Sequence, residues 1–206
     1  MTKIFRYFLT CAVSLLLVSH ALYAQKKGWV KLFDGKTLNG WKVGENDTTF
    51  KVKDGAIVVF GLRAHLFYDG PVESHAFKNF EYKATLMTKP GANSGMYIHT
   101  EFQEEGWPAK GYEIQVNNSH TDWRRTGSVY GIQDVKEPPA KDDKWFTQHI
   151  IVQGNKITVK VDGKIINEYT VPAEGGKLSR GTFALQGHDP KSMVLYKDVM
   201  VKVLPD

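Results

Sequence analysis

Apolar side chains recur at every second position along most of the chain from Trp29 onward, which is the period of a β-strand. No segment shows apolar residues at positions i, i+3, i+4 and i+7 over three helical turns. The segment Lys156–Val161 is the clearest example, since Ile157, Val159 and Val161 alternate with polar residues. The Asp162-Gly163 pair then forms a hairpin turn. This pattern predicts an all-β protein.

The same alternation predicts about a dozen short strands, separated by glycine, proline and asparagine turns. The predicted strands, besides the hairpin strands between Thr147 and Tyr169, are one ending at Val52, Ala56–Phe60, Phe80–Thr88, Ser94–Phe102, Tyr112–Val116, Gly181–His188 and Met193–Leu204. Many short strands without helices are typical of a two-sheet sandwich.

Three predicted connections are too long to be simple hairpins: Gln103–Gly111, Asn118–Gly127 and Gln133–Lys144. They are rich in tryptophan, arginine and proline, which favours ordered walls over mobile tethers. Long loops in compact domains are often functional.

The first 24 residues carry a separate signal. Lys3 and Arg6 precede an apolar run from Tyr7 to about Val18, and small residues follow it up to Ala24. This is the order of a secretory signal peptide, and the run is too short and interrupted for a membrane span. Cys11 lies too early in the run to be a lipid-attachment site. We therefore expect export to the periplasm or medium, with a single domain over residues 25–206.

Composition limits the partners. The chain of 206 residues has a formal charge of +5, which falls to +3 once Lys3 and Arg6 are removed. So small an excess gives little support to nucleic-acid binding, and we expect neither that nor stable membrane insertion. Cys11 is the one cysteine, so the mature domain must be stabilised by its core rather than by disulfides.

Strand parity places an unusual set of polar residues on one face. Because neighbouring side chains point to opposite sides of a strand, the core residues of three strands leave their polar neighbours on the outside. If the three strands share a sheet, its outer face carries two histidines, two carboxylates, three amides and a tyrosine. These residues are Tyr97, His99 and Glu101 on the first strand, Glu113, Gln115 and Asn117 on the second, and Gln186 and His188 on the third, with Asn93 just before the first.

Such a face is suited to a sugar. Amides and carboxylates pair with hydroxyl groups, and aromatic rings cover the C–H surfaces of the ring. Tyr97, Trp107, Trp123 and Tyr130 are the candidate aromatic platforms, and Arg125 is a candidate binding residue beside them. Four further histidines, His65, His75, His120 and His149, are expected to be structural or solvated.

Five segments then carry a resemblance to a known family. They are LFDGKTLNGW (32–41), ANSGMYIHT (92–100), GYEIQVNN (111–118), RRTGSVYGI (124–132) and GTFALQGH (181–188), in this order. As a set they resemble the exported bacterial family of 3-keto-disaccharide hydrolases. The resemblance implies a concanavalin A-like lectin/glucanase jelly roll. One departure is His99, where that family often has an arginine.

The fold alone does not imply glucanase chemistry. Retaining glucanases of this fold carry a Glu-x-Asp-x-x-Glu strand, because two carboxylates about 5 Å apart serve as nucleophile and acid. Here the matching positions are Glu113, Gln115 and Asn118, so the second and third groups are amides. Double-displacement hydrolysis is therefore disfavoured.

The resemblance implies cleavage of 3-keto-glycosides by removal of the C2 proton and β-elimination, followed by hydration. Glu113 or His188 would be the base, and the other, or His99, the acid. Substrate-binding candidates are Asn93, Tyr97, Gln115, Asn117, Trp123, Arg125, Tyr130 and Gln186. A divalent cation would also supply an electrophile, although no ligand spacing demands one. The alternative is a lectin-like domain that binds a glycoside or oligosaccharide without changing it.

Overall fold

A computed structural model describes residues 28–174, 176 and 179–206. The predicted signal peptide lies outside these residues, so export and the cleavage site stay predictions. The described chain contains thirteen strands and short 3-10 helices at Asp47–Thr49 and Val72–His75. The strands are β1 (Val30–Lys31), β2 (Trp41–Gly44), β3 (Phe50–Lys53), β4 (Ala56–Phe60), β5 (Ala64–Tyr68), β6 (Phe80–Thr88), β7 (Ser94–Thr100), β8 (Tyr112–Val116), β9 (Phe146–Gln153), β10 (Lys156–Val161), β11 (Lys164–Thr170), β12 (Thr182–Gly187) and β13 (Met193–Val203).

The strands form two antiparallel sheets. The larger sheet has eight strands in the order β11-β10-β9-β6-β13-β4-β3, with β1 paired to β13. The smaller sheet has five strands in the order β2-β5-β12-β7-β8. The all-β prediction is confirmed, and β12, β7 and β8 are neighbours in one sheet, as the sandwich interpretation required.

The core lies between the sheets and is built from alternate residues of each strand. Phe183 on β12 stacks on Tyr82 of β6, with ring centroids 4.1 Å apart, and on Phe77 at 4.3 Å. Leu185, next inward on β12, is also fully buried. Burial of one such side chain contributes about 1.5–3 kcal/mol. The burial of Phe183 and Leu185 therefore directs Ala184, which lies between them, to the outer face.

A β-bulge in β7 changes the direction of one predicted site residue. Thr100 pairs with Thr182 while Tyr97 pairs with Ala184, so β7 has one residue more than its partner over this stretch. His99 absorbs the extra residue with a positive φ of 50°. Its ring packs edge-on against core Phe80 at 5.4 Å, and its Nε2 lies 2.9 Å from the Lys78 carbonyl oxygen. The prediction that His99 shares a face with Tyr97 is wrong, because a bulge shifts the alternation by one residue.

The sequence analysis also missed strand β5, which lies between β2 and β12. Ala64, Leu66 and Tyr68 belong to the core, so His65 and Phe67 face outward with Tyr97 and Ala184. The segment is short and follows β4 after only three residues, which hid its alternation. Within the described residues, no helix has the length and apolar character needed to span a membrane.

Candidate functional site

The outer face of the five-stranded sheet carries a cavity of about 310 Å³. Strands β12, β7 and β8 form its floor, with Ala184 paired to Tyr97 and Tyr97 paired to Glu113. The cavity is lined by Asn93, Tyr97, Trp107, Pro108, Glu113, Gln115, Tyr130, Gln186 and His188. Seven of the predicted site residues therefore meet there, including Glu113 and His188.

Glu113 is held on the floor by two hydrogen bonds. The Tyr97 hydroxyl donates to Oε2 at 2.8 Å, and Gln186 Nε2 donates to Oε1 at 2.9 Å. Burial, reinforced by the charge of Glu113, raises the pKa of Tyr97, so the phenol stays a neutral donor. These two hydrogen bonds fix the orientation of the carboxylate in the lining of the cavity.

Gly95 makes room for this carboxylate. A Cβ atom at position 95 would lie 2.5 Å from Glu113 Oε1 and 2.8 Å from its Cγ. Such a contact is closer than carbon atoms tolerate, so any other residue would displace the carboxylate. The glycine of the ANSGMYIHT segment is therefore part of the site although it offers no polar atom.

Buried amides extend the floor beside Glu113. Gln115 Nε2 lies 3.1 Å from Asn93 Oδ1, and the same amide turned over would donate to Glu113 Oε1 at 3.0 Å. Gln186 Oε1 is buried and accepts no hydrogen bond within the described chain. A buried acceptor without a donor is costly, so a ligand hydroxyl is the partner it suits.

His188, which directly follows β12, also lines the cavity. Its Nδ1 lies 2.7 Å from Asp189 Oδ2, and its ring lies 5.3 Å from Trp107 and 5.5 Å from His120. Burial acts to raise the pKa of Asp189, but hydrogen bonds from Ser192 and His188 outweigh it and lower the value to about 2. Asp189 is therefore charged over the ordinary pH range.

Trp107, Pro108 and Tyr130 complete the rim. The loop carrying Trp107 is tied to the sheet because Gly106 N donates to Glu45 Oε1 at 3.3 Å, and Glu45 also pairs with Arg63 at 2.6 Å. Tyr130 donates to Asp122 Oδ2 at 3.1 Å. Two of the long connections are thus ordered walls, as predicted.

Trp107 also covers a buried histidine that the sequence analysis treated as structural or solvated. The His65 ring lies 5.6 Å from Trp107 and 5.4 Å from Tyr97, and 2% of the residue is exposed. Burial lowers the pKa of His65 to about 4. His65 is therefore a neutral second layer under the cavity.

Two other predicted binding residues, Asn117 and Arg125, support the loop between β8 and Tyr130. The Asn117 amide donates to the carbonyls of Asp122 and Arg124, at 2.9 and 2.7 Å. Arg125 donates to the carbonyls of His120 and Asp122, at 2.9 and 2.6 Å. In the described structure neither residue lines the cavity, and Trp123, 48% exposed, lies outside the lining as well. The polar groups of Asn117 and Arg125 bond to the loop, and the contact of all three residues with a substrate stays a prediction.

One cluster in the described residues brings metal-ligating atoms together. The ligand atoms of His120, His188 and Asp189 lie within 4.8 Å of one another. However, His120 Nδ1 accepts the Asp122 backbone N–H at 3.0 Å, which places the proton of the neutral ring on Nε2. Histidine ligands instead donate through the nitrogen that is not bound to metal. The hydrogen bonding of His120 therefore does not fit a metal ligand.

Asp189 and His120 were not among the predicted site residues. Asp189 directly follows His188, and the Asp-Pro-Lys-Ser sequence is a turn signal, so a carboxylate beside that histidine was visible. His120 lies in a loop whose path the strand alternation does not determine. Only the fold brings it to 5.5 Å from His188.

Comparisons with known proteins indicate the family of the chain. The family model described as the 3-keto-alpha-glucoside-1,2-lyase-like domain matches residues 28–202. A curated 3-keto-disaccharide hydrolase from Bacteroides thetaiotaomicron is 34% identical over 169 residues, which are 69% of this chain and 58% of that protein. The chain thus spans somewhat more than half the length of that relative.

Solved structures are similar in fold at low identity. A protein from Parabacteroides distasonis, provisionally named a glycosyl hydrolase, has a TM-score of 0.73 and 21% identity, over 86% of this chain and 94% of that one. The carbohydrate-binding module CBM66 from Bacillus subtilis has a TM-score of 0.60 and 12% identity, over 79% and 95%. A lichenase from a mouse hindgut metagenome gives 0.56 and 13%, over 85% and 98%. The predicted concanavalin A-like lectin/glucanase jelly roll is confirmed.

Proposed function

Since the chain belongs to the family of 3-keto-alpha-glucoside-1,2-lyase-like domains, we propose that it is an enzyme that cleaves 3-keto-glycosides by β-elimination. The observation that carries the proposal is that one hydrogen-bonded carboxylate, Glu113, and one imidazole, His188, line the same cavity. This pair can move one proton in each direction.

The lining of the cavity disfavours ordinary retaining hydrolysis. That reaction needs two carboxylates about 5 Å apart. Glu113 is the one carboxylate among the residues that line the described cavity, and its neighbours are the amides of Gln115 and Gln186. Amides neither displace a leaving group nor act as acids at neutral pH.

A ketone at C3 of the sugar makes a different route available. The carbonyl acidifies the C2–H bond, so a base takes that proton and the bonding electrons form an enolate with O3. When the C3 carbonyl reforms, the C1–C2 double bond forms and the C1–O bond breaks. The leaving oxygen takes a proton and departs as an alcohol, and water then adds to C1 of the unsaturated ketone to give the free 3-keto-sugar.

Glu113 is the base in this proposal and His188 the acid. Glu113 lines the cavity and accepts a hydrogen bond at each oxygen, and its carboxylate would receive the C2 proton. The ring of His188 faces Asp189 through Nδ1, which leaves Nε2 to protonate the leaving oxygen. General acid and base steps each contribute about 10²–10⁴-fold.

An α-glycoside suits a base and an acid that act together. In the chair form of an α-glucoside the C2–H and C1–O bonds are both axial and point to opposite faces of the ring. A base on one face of the sugar and an acid on the other would then act at the same time. Trp107 and Tyr130 would cover the ring, and the unpaired Gln186 Oε1 would accept a hydroxyl.

The test is a comparison of matched sugars. Purified protein is incubated with a 3-keto α-disaccharide and with the same disaccharide not oxidised at C3, and products are followed by mass spectrometry and NMR. We expect release of the leaving sugar from the keto substrate alone. Binding of the parent disaccharide without turnover of either sugar would overturn the proposal in favour of a lectin.

A further inference from the structure

Asp189 is the carboxylate closest to the proposed acid, yet it does not line the cavity. Its Oδ2 lies 2.7 Å from His188 Nδ1. A carboxylate at this distance accepts an N–H bond, so the proton of the imidazole is placed on Nδ1. Nε2, at the far edge of the ring, is then the nitrogen that serves the cavity.

Asp189 is itself held rigidly. Ser192 Oγ donates to Oδ2 at 2.7 Å, and the Lys191 backbone N–H donates to Oδ1 at 2.8 Å. Ser192 Oγ also accepts the Asn93 backbone N–H at 2.9 Å, so its own proton is directed to Asp189. This chain of bonds joins the turn after β12 to the start of β7, which carries the floor of the cavity.

The ring of His188 is also confined on its faces. Trp107 lies 5.3 Å from it on the rim, and His120 lies 5.5 Å away at an interplanar angle of 66°. Burial, and to a smaller extent the charge of His188, lowers the pKa of His120. The His120 ring therefore favours its neutral form beside His188. Asp189 is thus the group positioned to balance a positive charge on His188.

We propose that Asp189 is a positioning residue that fixes the Nδ1–H form of His188 and stabilises its imidazolium, so that Nε2 delivers the proton to the leaving oxygen. The role in catalysis rests on the proposed function, whereas the role in fixing the tautomer does not. Carboxylate–imidazole pairs elsewhere work in this way, and replacing the carboxylate by an amide leaves the geometry intact but reverses the tautomer.

The experiment uses Asp189→Asn, with Lys191→Ala as the matched control, because the Lys191 side chain is exposed and only its backbone bonds to Asp189. Histidine ¹⁵N chemical shifts, assigned with a His188→Gln variant, report the tautomer in the free protein. We expect the Nδ1–H form in the wild type and in Lys191→Ala, and the Nε2–H form in Asp189→Asn. The proposal would be overturned if His188 of the wild type carried its proton on Nε2. It would also be overturned if adding a divalent cation changed the His188 ¹⁵N shifts to those of a metal-bound imidazole.

Kinetics on the 3-keto α-disaccharide give the second readout. Asp189→Asn should lower kcat about 10²–10⁴-fold with KM changed less than about threefold, and should change the pH profile of kcat. Ser192→Ala should lower kcat by a smaller factor, because it removes one hydrogen bond to Asp189 and keeps the carboxylate. This second variant keeps the proposal testable if Asp189→Asn fails to fold. Unchanged kcat and pH profile in a folded Asp189→Asn protein would overturn the catalytic role. An inactive wild type with the expected tautomer shifts would instead overturn the proposed function and leave the positioning role standing.

Discussion

The outer faces of the two sheets obey the same two-residue alternation but differ in burial. On the eight-stranded sheet the outward residues of β6 and β9 are all partly exposed, as a solvated face requires. On the five-stranded sheet every residue of β5, β7 and β12 is buried. The Trp107 loop contributes to this difference, since Trp107 packs on His65 of β5 and on His188.

The covered face must satisfy its polar groups internally. Glu113 receives hydrogen bonds from Tyr97 and Gln186, whereas Glu81 on the other face pairs with Lys202 and His149 at 2.9 and 3.0 Å. Glu81 pairs with Lys202, a surface cation, whereas Glu113 accepts hydrogen bonds from two neutral donors. A surface ion pair contributes about 0–1 kcal/mol of stability.

The largest expected effect comes from exchanging these two carboxylates for amides. Glu113→Gln should lower kcat on a 3-keto α-disaccharide about 10²–10⁴-fold, because the amide cannot accept the C2 proton. Glu81→Gln should leave kcat unchanged, since this carboxylate lies on the other sheet. Initial rates and thermal unfolding of both variants check the prediction.

The two variants should also separate activity from stability. Glu113→Gln should keep its Tm to within about 2 °C of the wild type, because the side chain keeps its shape. Full activity in Glu113→Gln, or equal losses in the two variants, would remove the functional distinction between the faces.

The pH dependence of folding offers a second comparison, between His65 and His149. Burial lowers the pKa of His65 to about 4, so the folded protein binds fewer protons than the unfolded chain between that value and about 6.5. Stability therefore falls as the pH drops through this window, by about 2 kcal/mol from pH 7.5 to 5 for this group. His65→Phe should remove this part of the pH dependence.

His149→Phe is the matched control. Burial also lowers the pKa of His149, but Glu81 opposes the shift, so its removal should change the pH dependence less. Urea unfolding at the two pH values measures both effects. A His65→Phe protein with the wild-type pH dependence would contradict burial as the cause.

The smallest expected effect concerns two tryptophans of nearly equal exposure. Trp107 is 45% exposed and lines the cavity, while Trp123 is 48% exposed and lies outside it. Trp107→Ala should raise KM about tenfold, equivalent to about 1.4 kcal/mol of ring contact, and Trp123→Ala should not. Steady-state kinetics on the same keto-sugar test this, and equal KM changes in the two variants would exclude a specific stacking role for Trp107.

Much of the architecture could be predicted because strand alternation depends on local sequence. The predicted segments Phe80–Thr88 and Tyr112–Val116 coincide with β6 and β8, and parity placed Glu113 and Gln186 on one face. Strand alternation gave the wrong face for His99, because one extra residue in β7 reverses the direction of the side chains that follow it. No residue type in the sequence indicates this bulge. A bulge is a property of two paired strands, and one strand's sequence does not reveal it.

The rest of the site depends on contacts between distant segments. His65 was not predicted as part of the site because strand β5 was not predicted. Asn117 and Arg125 do not line the cavity, since their side chains bond to loop carbonyls. Those bonds depend on the path of the loop, which strand alternation does not determine. His120 reaches His188 for the same reason. Polar residues on regular strands can be assigned from sequence, whereas polar residues on loops require the fold.

Gly95 carries a consequence for how variants of this protein would fail. Adding one methyl group there would crowd the Glu113 carboxylate without removing a single charge, donor or acceptor. A survey that scores only chemical groups would judge such a variant intact. The empty space beside Glu113 is as necessary to the proposed site as the carboxylate itself, and a redesign that fills it would disable the site while every reactive atom stayed present.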